Sequence, residues 1–304
     1  MKVGIDLGGS HIAIGLVKQD RVIEKIERNF TAEEKKNVEE VLTFFIPQAL
    51  KKLLEQHPQE KISLVGMSSP GRFEEGCITK TTNLTIQSLP IEKLIRHVTN
   101  APFLIENDGR CAALAEKKFG NLKEVKNGLF LCLGTGIGGA CFIGGTMIPQ
   151  IRKMGHMILH LGGKQCKCGK QGCFEAYCSM KAFRDTIRKI EKKEFLTSRE
   201  IEELLQNQQK KEEYRSFLEE YITNLALGIS NLANLLSPEK VVLGGSFCYF
   251  SSILMPLLQE KMKQEQFNKR IENVTIETAK FSNDAGIIGA ASLEDRYYLG
   301  KIRV

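Results

Sequence analysis

Two glycine turns limit the fold of this chain more than any other feature of its sequence. The first lies in "GIDLGGSHIAIGL", which begins at residue 4, and the second in "FLCLGTGIGGACFI", which begins at residue 130. In each case a short segment rich in Val, Ile or Leu precedes and follows the glycines. This pattern predicts strand, tight turn and strand. Each half of the chain is therefore predicted to begin with the same unit, as a weak internal repeat.

The second turn has the spacing G-x-G-x-x-G at Gly134, Gly136 and Gly139. A dinucleotide-binding turn requires a helix to start within the glycines and an acidic residue about 20 positions later. Here "ACFIGG" predicts a strand, and residues 150–165 contain no Asp or Glu. Neither turn continues into Gly-Lys-Ser/Thr, which excludes a Walker A loop. The remaining interpretations are an ordinary hairpin, or a hairpin whose backbone N–H groups approach a phosphate.

The rest of the chain alternates strand and helix patterns. Pro47 is expected to kink or split the first helix, and Gly120 is expected to close the helix that starts at Asp108 in a left-handed conformation. The predicted strands are three antiparallel strands within residues 2–29, then "ISLVGMSS", a hairpin to about residue 83, "PFLIEN", "KVVLGGS" and "VTIETA". The predicted helices span about 32–57, 90–99, 108–119, 179–193, 198–209, 212–236 and 250–266, with a last helix from Asp284.

Length and charge narrow the class of protein. A chain of 304 residues suggests two domains, each able to bury its own core. It contains no apolar run of about 20 residues and no secretory signal pattern, so we expect a cytoplasmic protein without a membrane partner. The net charge is +7, but basic residues interleave with Glu, as in "AEEKKNVEE". This is typical of solvated helix faces, and no nucleic-acid partner is expected.

The nine cysteines fall into two groups. Four crowd into residues 166–178, and an odd count with one tight cluster favours a metal site over a disulfide framework. Cys166, Cys168 and Cys173 with His156 match the ligand set of a tetrahedral zinc site. On chemistry alone, Cys178 or His160 could supply the fourth ligand. The other five lie singly in apolar segments and are predicted to be core residues: Cys77, Cys111, Cys132, Cys141 and Cys248.

Two aspartates stand at positions suited to chemistry. Asp6 precedes Gly8, Gly9 and Ser10, and its carboxylate suits a magnesium ion bound directly or through water. Asn107 and Asp108 precede a helical pattern. Either residue could be a plain N-cap, which is a structural alternative to a catalytic role.

Taken together, these segments resemble the ROK family of sugar kinases and repressors, within the actin/Hsp70/hexokinase fold. The resemblance covers nearly the whole chain, and "NDGRCAALAEKKFG" is especially similar to N-acetylmannosamine kinases. The first and second phosphate motifs are "IDLGGSHI" and "LGTGIGGACFIGG", and the catalytic segment is "ENDGRCAALAEKKFG". The zinc motif is "GHMILHLGGKQCKCGKQGCFEAY". The adenosine-side element is "VVLGGS", and the C-terminal element is "DAGIIGAA".

The resemblance implies a two-lobed α/β fold of the ribonuclease H-like class, with a zinc-containing loop. The small lobe would hold residues 1–107 and 284–304, and the large lobe residues 108–283, with nucleotide and sugar between them. The implied activity is ATP-dependent phosphorylation of a hexose or N-acylhexosamine at O6, with Mg²⁺ and a structural Zn²⁺. A homodimer is implied as well.

The resemblance also assigns roles to residues. Asp108 would be the catalytic base that accepts the proton of the sugar hydroxyl. His156 would be the fourth zinc ligand beside Cys166, Cys168 and Cys173. The sugar-binding residues would be Gly71, Thr82, Asn83, Asn107, His156 and Glu175. The nucleotide-binding residues would be Asp6, Gly8, Gly9, Ser10, His11, Gly134, Thr135, Gly136, Gly244 and Gly245.

The chain departs from the family pattern on the sugar-binding loop. Lys153 stands where family kinases usually carry a Glu, and the stretch from Gly145 to His156 is shorter than usual. A lysine donates hydrogen bonds but cannot accept them from hydroxyls. Lys153 could face solvent, could meet an acidic substrate, or could mark a site that binds sugar poorly. The rival functions are a sugar-binding protein with weak or lost kinase activity, and a DNA-binding repressor. The latter is not expected, because the first phosphate motif starts at residue 6.

Overall fold

A computed structural model describes residues 1–81, 84–207, 211–264 and 274–293. Their contacts form two compact units. The first comprises Met1–Lys123 and the described residues from Asn283 on, and the second comprises Glu124–Ser282. This division puts residues 108–119 in the first unit, whereas the family resemblance predicts a lobe boundary at residue 107.

The described residues form mixed α/β structure. The strands are β1 Lys2–Leu7, β2 His11–Lys18, β3 Arg21–Asn29, β4 Leu64–Ser69, β5 Arg72–Glu74, β6 Cys77–Thr79, β7 Phe103–Asn107, β8 Gly128–Leu133, β9 Ile137–Ile143, β10 Thr146–Met147, β11 Lys240–Gly244 and β12 Thr275–Thr278. The helices are α1 Val38–Gln56, α2 Ile91–Arg96, α3 Asp108–Phe119, α4 Phe174–Cys178, α5 Met180–Glu191, α6 Ser198–Gln206, α7 Lys211–Leu236, α8 Ser251–Met262 and α9 Ala285–Ala290. Short 3-10 helices occur at Met154–His156 and Gly245–Phe250.

Each unit is built on a five-stranded sheet, and the two sheets have the same topology. The strand orders are β3-β2-β1-β4-β7 and β10-β9-β8-β11-β12. In each sheet, the first three strands of this order pair antiparallel. The third strand pairs in parallel with the fourth, and the fourth pairs in parallel with the fifth. The repeat predicted from the two glycine turns is therefore confirmed at the level of sheet topology.

The first sheet shows why its strands form where they do. β1 and β4 are buried along most of their length, as expected of central strands covered on both faces. α1 contacts β2 and β3, and α9 contacts β1 and β4. β3 lies at the edge of the sheet, where Val22 and Ile26 are half-buried, whereas Ile23 and the charged residues at both ends of the strand are exposed.

α9 approaches its neighbours so closely that glycine is required at the contacts. A Cβ at Gly4 of β1 would lie 2.0 Å from the carbonyl oxygen of Ile287, and one at Gly289 would lie 1.8 Å from that of Cys111 in α3. Side chains at either position would push α9 away from the sheet and from α3. The segment "DAGIIGAA" is therefore a packing element of the first unit.

The second unit has an aromatic core. Phe183 of α5 packs against Tyr221, Phe217 and Phe250, with ring centroids 4.9, 5.4 and 5.4 Å away. Such pairs stabilise the packing of helices beyond the burial of their area. α7, which supplies two of the rings, is 26 residues long. Among the described residues, no helix has both the length and the apolar character needed to cross a membrane.

Two predictions about the first helix differ from the structure. α1 begins at Val38 rather than near residue 32, because Thr31 and Glu34 form a separate turn in which each side chain binds the other's backbone N–H. Helix α1 also continues through Pro47 without a break. Proline removes one helical hydrogen bond, but the fully buried Ile46 and Leu50 hold this segment on the core.

Gly120 and three cysteines are further corrections. Gly120 has φ −109°, so the end of α3 is not left-handed; a Cβ there would instead meet the Glu116 carboxylate at 2.2 Å. Cys111 and Cys141 are buried as predicted, whereas Cys77, Cys132 and Cys248 are only partly buried. These three lie in a short hairpin, at the end of β8 and in a 3-10 helix, where apolar sequence neighbours do not guarantee a core position.

Candidate active site

The first glycine turn joins β1 and β2, and Asp6 lies just before it. Because β1, β4 and β7 are parallel neighbours, their carboxyl ends meet at one edge of the sheet. Ser68 of β4 donates a hydrogen bond from Oγ to Asp6 Oδ1 over 2.7 Å. A Cβ at Gly286 would lie 2.2 Å from Asp6 Cγ, so α9 also approaches this carboxylate. The sequence alone singled out neither Ser68 nor Gly286.

His11 faces the same carboxylate from the start of β2. Its Nε2 lies 3.7 Å from Asp6 Oδ2, and hydrogen bonding to Asp6 raises the pKa of His11 above 6.5, against the opposing effect of burial. A Cβ at Gly8 would lie 2.6 Å from the His11 ring, which explains the glycine there. Gly9 and Ser10 complete the turn, and Ser10 is exposed. Asp6 is thus a fixed carboxylate at an open turn, which suits a hydrated Mg²⁺.

Asp108 stands at the same edge of the sheet, on the first residue of α3. Its Oδ1 accepts a hydrogen bond from the Gly109 N–H over 2.8 Å. Desolvation, followed by the negative charge of Asp6, raises the pKa of Asp108 above 3.8, while hydrogen bonds from Gly109 and Asn107 oppose this rise. Solvent reaches the side chain even though protein atoms crowd around its carboxyl group, so the desolvation is partial. A carboxylate with a raised pKa is a stronger base.

A buried ion pair fixes the start of α3. Arg110 Nε lies 3.3 Å from Glu106 Oε2, and the two side chains are 4% and 8% exposed. The other oxygen of Glu106 accepts a hydrogen bond from the Asn107 N–H over 2.7 Å. Glu106 and Arg110 therefore hold the backbone that presents Asn107 and Asp108. Sequence patterns alone do not single out this pair.

The predicted sugar-binding residues near β5 and β6 are described only in part. A Cβ at Gly71 would lie 2.6 Å from Ile78 Cγ2, so packing of the hairpin already accounts for this glycine. Thr82 and Asn83 lie outside the described residues. Their roles, and that of Gly71, stay predictions.

The second glycine turn joins β8 and β9, which confirms that a strand follows the glycines. The Gly134 N–H donates to the carbonyl oxygen of Gly136 over 2.9 Å, and Thr135 between them is exposed. A Cβ at Gly134 would meet nothing within 4 Å. Packing therefore gives no reason for glycine at this position, and open space lies in front of the turn. This arrangement leaves room for a phosphate to approach the backbone.

Gly244 ends β11 and Gly245 begins the 3-10 helix that follows, and local packing accounts for both glycines. Gly245 has φ +72°, a left-handed conformation that favours glycine, and its Cβ would lie 2.7 Å from the Leu133 carbonyl oxygen. A Cβ at Gly244 would lie 2.5 Å from the ring of Phe130. Their nucleotide-binding role stays a prediction.

The four predicted metal ligands lie together. The ligand atoms of His156, Cys166, Cys168 and Cys173 are all within 4.8 Å of one another. His156 Nδ1 is 3.7 Å from Cys166 Sγ, and Cys168 Sγ is 3.6 Å from Cys173 Sγ. Tetrahedral zinc with ordinary bond lengths requires N–S and S–S separations of about 3.6 and 3.8 Å. These residues therefore fit a zinc ion.

The competing ligands have other partners. His160 Nε2 hydrogen bonds with Asn224 Oδ1 at 2.5 Å, and its ring packs on that of Tyr177 with centroids 4.8 Å apart. Cys178 is buried, with Sγ 3.9 Å from the carbonyl oxygen of Tyr221. Among the alternatives left open by the sequence, the geometry thus favours His156 as the fourth ligand.

Glu175 and Lys153 lie on either side of this cluster in sequence. Glu175 follows Cys173 on α4, and its Oε2 accepts a hydrogen bond from the Ile137 N–H over 2.9 Å. Lys153 is exposed and precedes the 3-10 helix that carries His156. Of the interpretations of Lys153, its orientation towards solvent agrees with the structure.

A cavity of about 390 Å³ adjoins Thr135 and Glu175. Its walls come from residues 164–167 of the zinc-motif loop and from α4, α5 and α7. Carboxylates of Glu175, Asp185 and Glu220 contribute to it, along with four lysines: Lys164, Lys167, Lys181 and Lys189. The second turn therefore borders a recess that contains charged side chains of both signs.

Comparison with known proteins agrees with this architecture. The model of the ROK family matches residues 2–296. The chain is 30% identical over 296 residues to an N-acetylmannosamine kinase of Haemophilus influenzae, covering 95% of this chain and 93% of that protein. It is 27% identical over 310 residues to a glucokinase of Thermotoga maritima, covering 96% of both. It is also 26% identical over 309 residues to a xylose repressor of Caldicellulosiruptor bescii, covering 96% of this chain and 77% of the repressor.

Solved structures show the same fold. A ROK hexokinase from Thermus thermophilus has a TM-score of 0.75 and 27% identity, with 95% of this chain and 96% of that chain covered. A ROK glucokinase from Streptomyces griseus, in complex with glucose and AMPPNP, has a TM-score of 0.76 and 21% identity, with 96% and 98% covered. The predicted α/β fold of the actin/Hsp70/hexokinase class is confirmed. The chain belongs to the ROK family.

Proposed function

We propose that this protein is an ATP-dependent sugar kinase, which transfers the γ-phosphoryl group to O6 of a hexose or an N-acylhexosamine. The observation that carries the proposal is the pair of carboxylates at one sheet edge. Asp6 is fixed by Ser68 beside an open glycine turn, and Asp108 has a raised pKa at the start of α3. A magnesium-binding carboxylate and a separate base are what phosphoryl transfer to a hydroxyl needs.

Asp108 is proposed to accept the proton of the sugar hydroxyl while the hydroxyl oxygen of the sugar attacks the γ-phosphorus. Asn107, held through the Glu106–Arg110 pair, would hydrogen bond to the sugar and orient it. Magnesium, when bound near Asp6, neutralises phosphate charge. The glycine turns would donate backbone N–H groups to phosphate oxygens.

The further roles in the proposal follow the family motifs. Gly8, Gly9, Ser10 and His11 would bind phosphate from the first turn, Gly134, Thr135 and Gly136 from the second, and Gly244 and Gly245 would lie near adenosine. His156 and Glu175 would contact the sugar together with Gly71, Thr82 and Asn83. His156, Cys166, Cys168 and Cys173 would bind a structural zinc, because four protein ligands leave no open position. We also propose a homodimer.

The substrate class is supported by relatives that are named glucokinase and N-acetylmannosamine kinase. An AMPPNP complex of a protein with the same fold supports ATP as the donor. A second candidate function is sugar binding with weak or lost kinase activity. Lys153, in place of the usual Glu, favours it, as does the similarity to a xylose repressor.

A coupled assay of ADP release separates the two candidates. The panel contains N-acetylmannosamine, N-acetylglucosamine, glucose, allose and an acidic sugar. A kinase should release ADP with one neutral sugar at a rate well above the sugar-free rate. If sugars bind in calorimetry but none stimulates ADP release, the binding function is correct instead. Turnover of the acidic sugar alone would indicate that Lys153 contacts the substrate.

A further inference from the structure

The carboxylate of Glu175 is in direct contact with the second glycine turn. Its Oε2 accepts a hydrogen bond from the Ile137 N–H over 2.9 Å. A Cβ at Gly136 would lie 2.4 Å from the same oxygen. The carboxylate thus occupies the space that a side chain at position 136 would fill, which explains why Gly136 lacks one. A hydrogen bond to a charged acceptor is stronger than one between neutral groups.

The segment that carries Glu175 reaches the turn at a second point. The Lys181 N–H, at the start of α5, donates to the carbonyl oxygen of Gly134 over 3.2 Å. Glu175 binds one end of the turn at Ile137, and Lys181 binds the other end at Gly134. Residues 175–181 therefore support both ends of the turn, while Thr135 in its middle stays exposed.

The start of this segment is itself fixed by the metal cluster. α4 begins directly after Cys173, and the Phe174 N–H donates to the carbonyl oxygen of Met157, next to His156, over 2.8 Å. Glu175 lies only two residues after Cys173, so the contacts that fix this proposed zinc ligand also fix the backbone of Glu175.

We propose that Glu175 is a positioning residue for the phosphate donor, because it holds the Gly134–Ile137 turn in its binding conformation. This inference rests on the proposed function, and it adds to the sugar contact implied for Glu175 by the family motif. It predicts that one side chain of the zinc motif controls nucleotide affinity. A residue that only contacts sugar would not affect nucleotide binding in the absence of sugar.

The test is calorimetric binding of Mg²⁺-AMPPNP without sugar, and of the preferred sugar without nucleotide. Glu175→Ala removes the acceptor, and we expect it to weaken AMPPNP binding by on the order of 10-fold, since hydrogen bonds to charged groups are among the stronger ones. Glu175→Gln keeps a carbonyl acceptor for Ile137 and should stay within about 3-fold of wild type for AMPPNP, although it should weaken sugar binding. The matched control Glu203→Ala, which changes an exposed side chain of α6, should change neither affinity.

A double-mutant cycle with Gly136→Ala makes the test specific, and Gly136→Ala by itself tests the contact if Glu175→Ala folds poorly. Gly136→Ala alone should weaken AMPPNP binding, because its Cβ meets the Glu175 carboxylate. In the Glu175→Ala background, the same substitution should have little further effect. Zinc content and melting temperature are measured for every variant.

Three results would count against these proposals in different ways. If wild type does not bind AMPPNP, both the kinase function and the role of Glu175 are wrong. If wild type binds it and Glu175→Ala binds it equally well, only the role of Glu175 is wrong. Additive effects of Gly136→Ala and Glu175→Ala would likewise refute a shared contact.

Discussion

At the scale of single residues, Asp108 combines features that a helix cap alone would not need. It accepts a hydrogen bond from the Gly109 N–H, yet its pKa is raised, chiefly through desolvation and then through the charge of Asp6. An acid whose pKa is raised in the folded state favours its protonated form there, so ionisation of Asp108 costs folding stability as the pH rises above 3.8. Such a cost without structural benefit is typical of functional groups.

The first prediction concerns Asp108→Asn. We expect turnover to fall by on the order of 10²–10⁴-fold, the usual contribution of a general base. At neutral pH the melting temperature should stay equal or rise, because the ionised carboxylate is removed. In wild type, kcat/KM should decline on the acidic side with an apparent pKa above 3.8. Steady-state kinetics against pH and thermal denaturation check these outcomes; unchanged kcat would refute the assignment.

The second prediction concerns the buried pair that orients α3. Arg110→Ala removes the guanidinium that faces the buried Glu106 carboxylate and should lower the free energy of unfolding by about 3–5 kcal/mol. Adding Glu106→Gln to that variant should recover part of the loss. Arg199→Ala breaks an ion pair in which both side chains are exposed, and should cost less than about 1 kcal/mol. Urea unfolding measures all three, and an equal cost for Arg110→Ala and Arg199→Ala would contradict the account.

The sequence predicted some of these residues and missed others for a physical reason. Asp6 and Asp108 stand beside glycines or at a helix start, so local patterns indicate them. Ser68 contacts Asp6 across 62 residues of chain. Glu106 and Arg110 have the ordinary spacing of a helical ion pair, and only their burial distinguishes them. Contacts that depend on strand order leave no local signal.

At the scale of elements, Gly134 and Gly139 of the β8–β9 hairpin differ in the room that the structure leaves for a side chain. A Cβ at Gly134 would meet nothing, whereas Gly139 has φ +148° and its Cβ would lie 1.9 Å from the Phe130 carbonyl oxygen. Gly139 is therefore needed by the sheet. Packing does not require glycine at position 134, so the open space there can admit a ligand.

The third prediction follows from this difference. Gly134→Ala should change the free energy of unfolding by less than about 1 kcal/mol, while raising the KM for ATP, because the added methyl group enters the space proposed for phosphate. Gly139→Ala should destabilise by about 3 kcal/mol or more. Chemical denaturation of both variants and ATP kinetics of Gly134→Ala test this. Equal destabilisation by the two substitutions would show that Gly134 is structural.

The fourth prediction concerns the zinc-motif loop. Protein purified without chelator should contain about one zinc per chain. Its removal should lower the melting temperature by roughly 10 °C, since a ligand at 1,000 times its Kd stabilises by about 4 kcal/mol. Cys173→Ser should lose the metal. The controls Cys178→Ser and His160→Ala should keep it, because both residues lie outside the cluster. Absence of zinc in the wild type would disprove the site.

At the scale of the whole molecule, the two sheets have matching strand orders, which agrees with the repeat predicted from the two glycine turns. Strand–turn–strand patterns and buried apolar runs predicted most elements, because their periodicity depends on local burial. The predictions of the start of α1 and of the conformation of Gly120 were wrong, because side-chain contacts of Glu34 and Glu116 determine these two features.

We propose that this chain phosphorylates a sugar with ATP and that Asp108 is the base. The most direct measurement is the product formed from the best sugar of the panel, followed by ³¹P NMR alongside ADP release. We predict one sugar 6-phosphate for each ADP with the wild type, and almost none with Asp108→Asn over the same time. ADP release without sugar phosphate, or equal product from both proteins, would contradict the account.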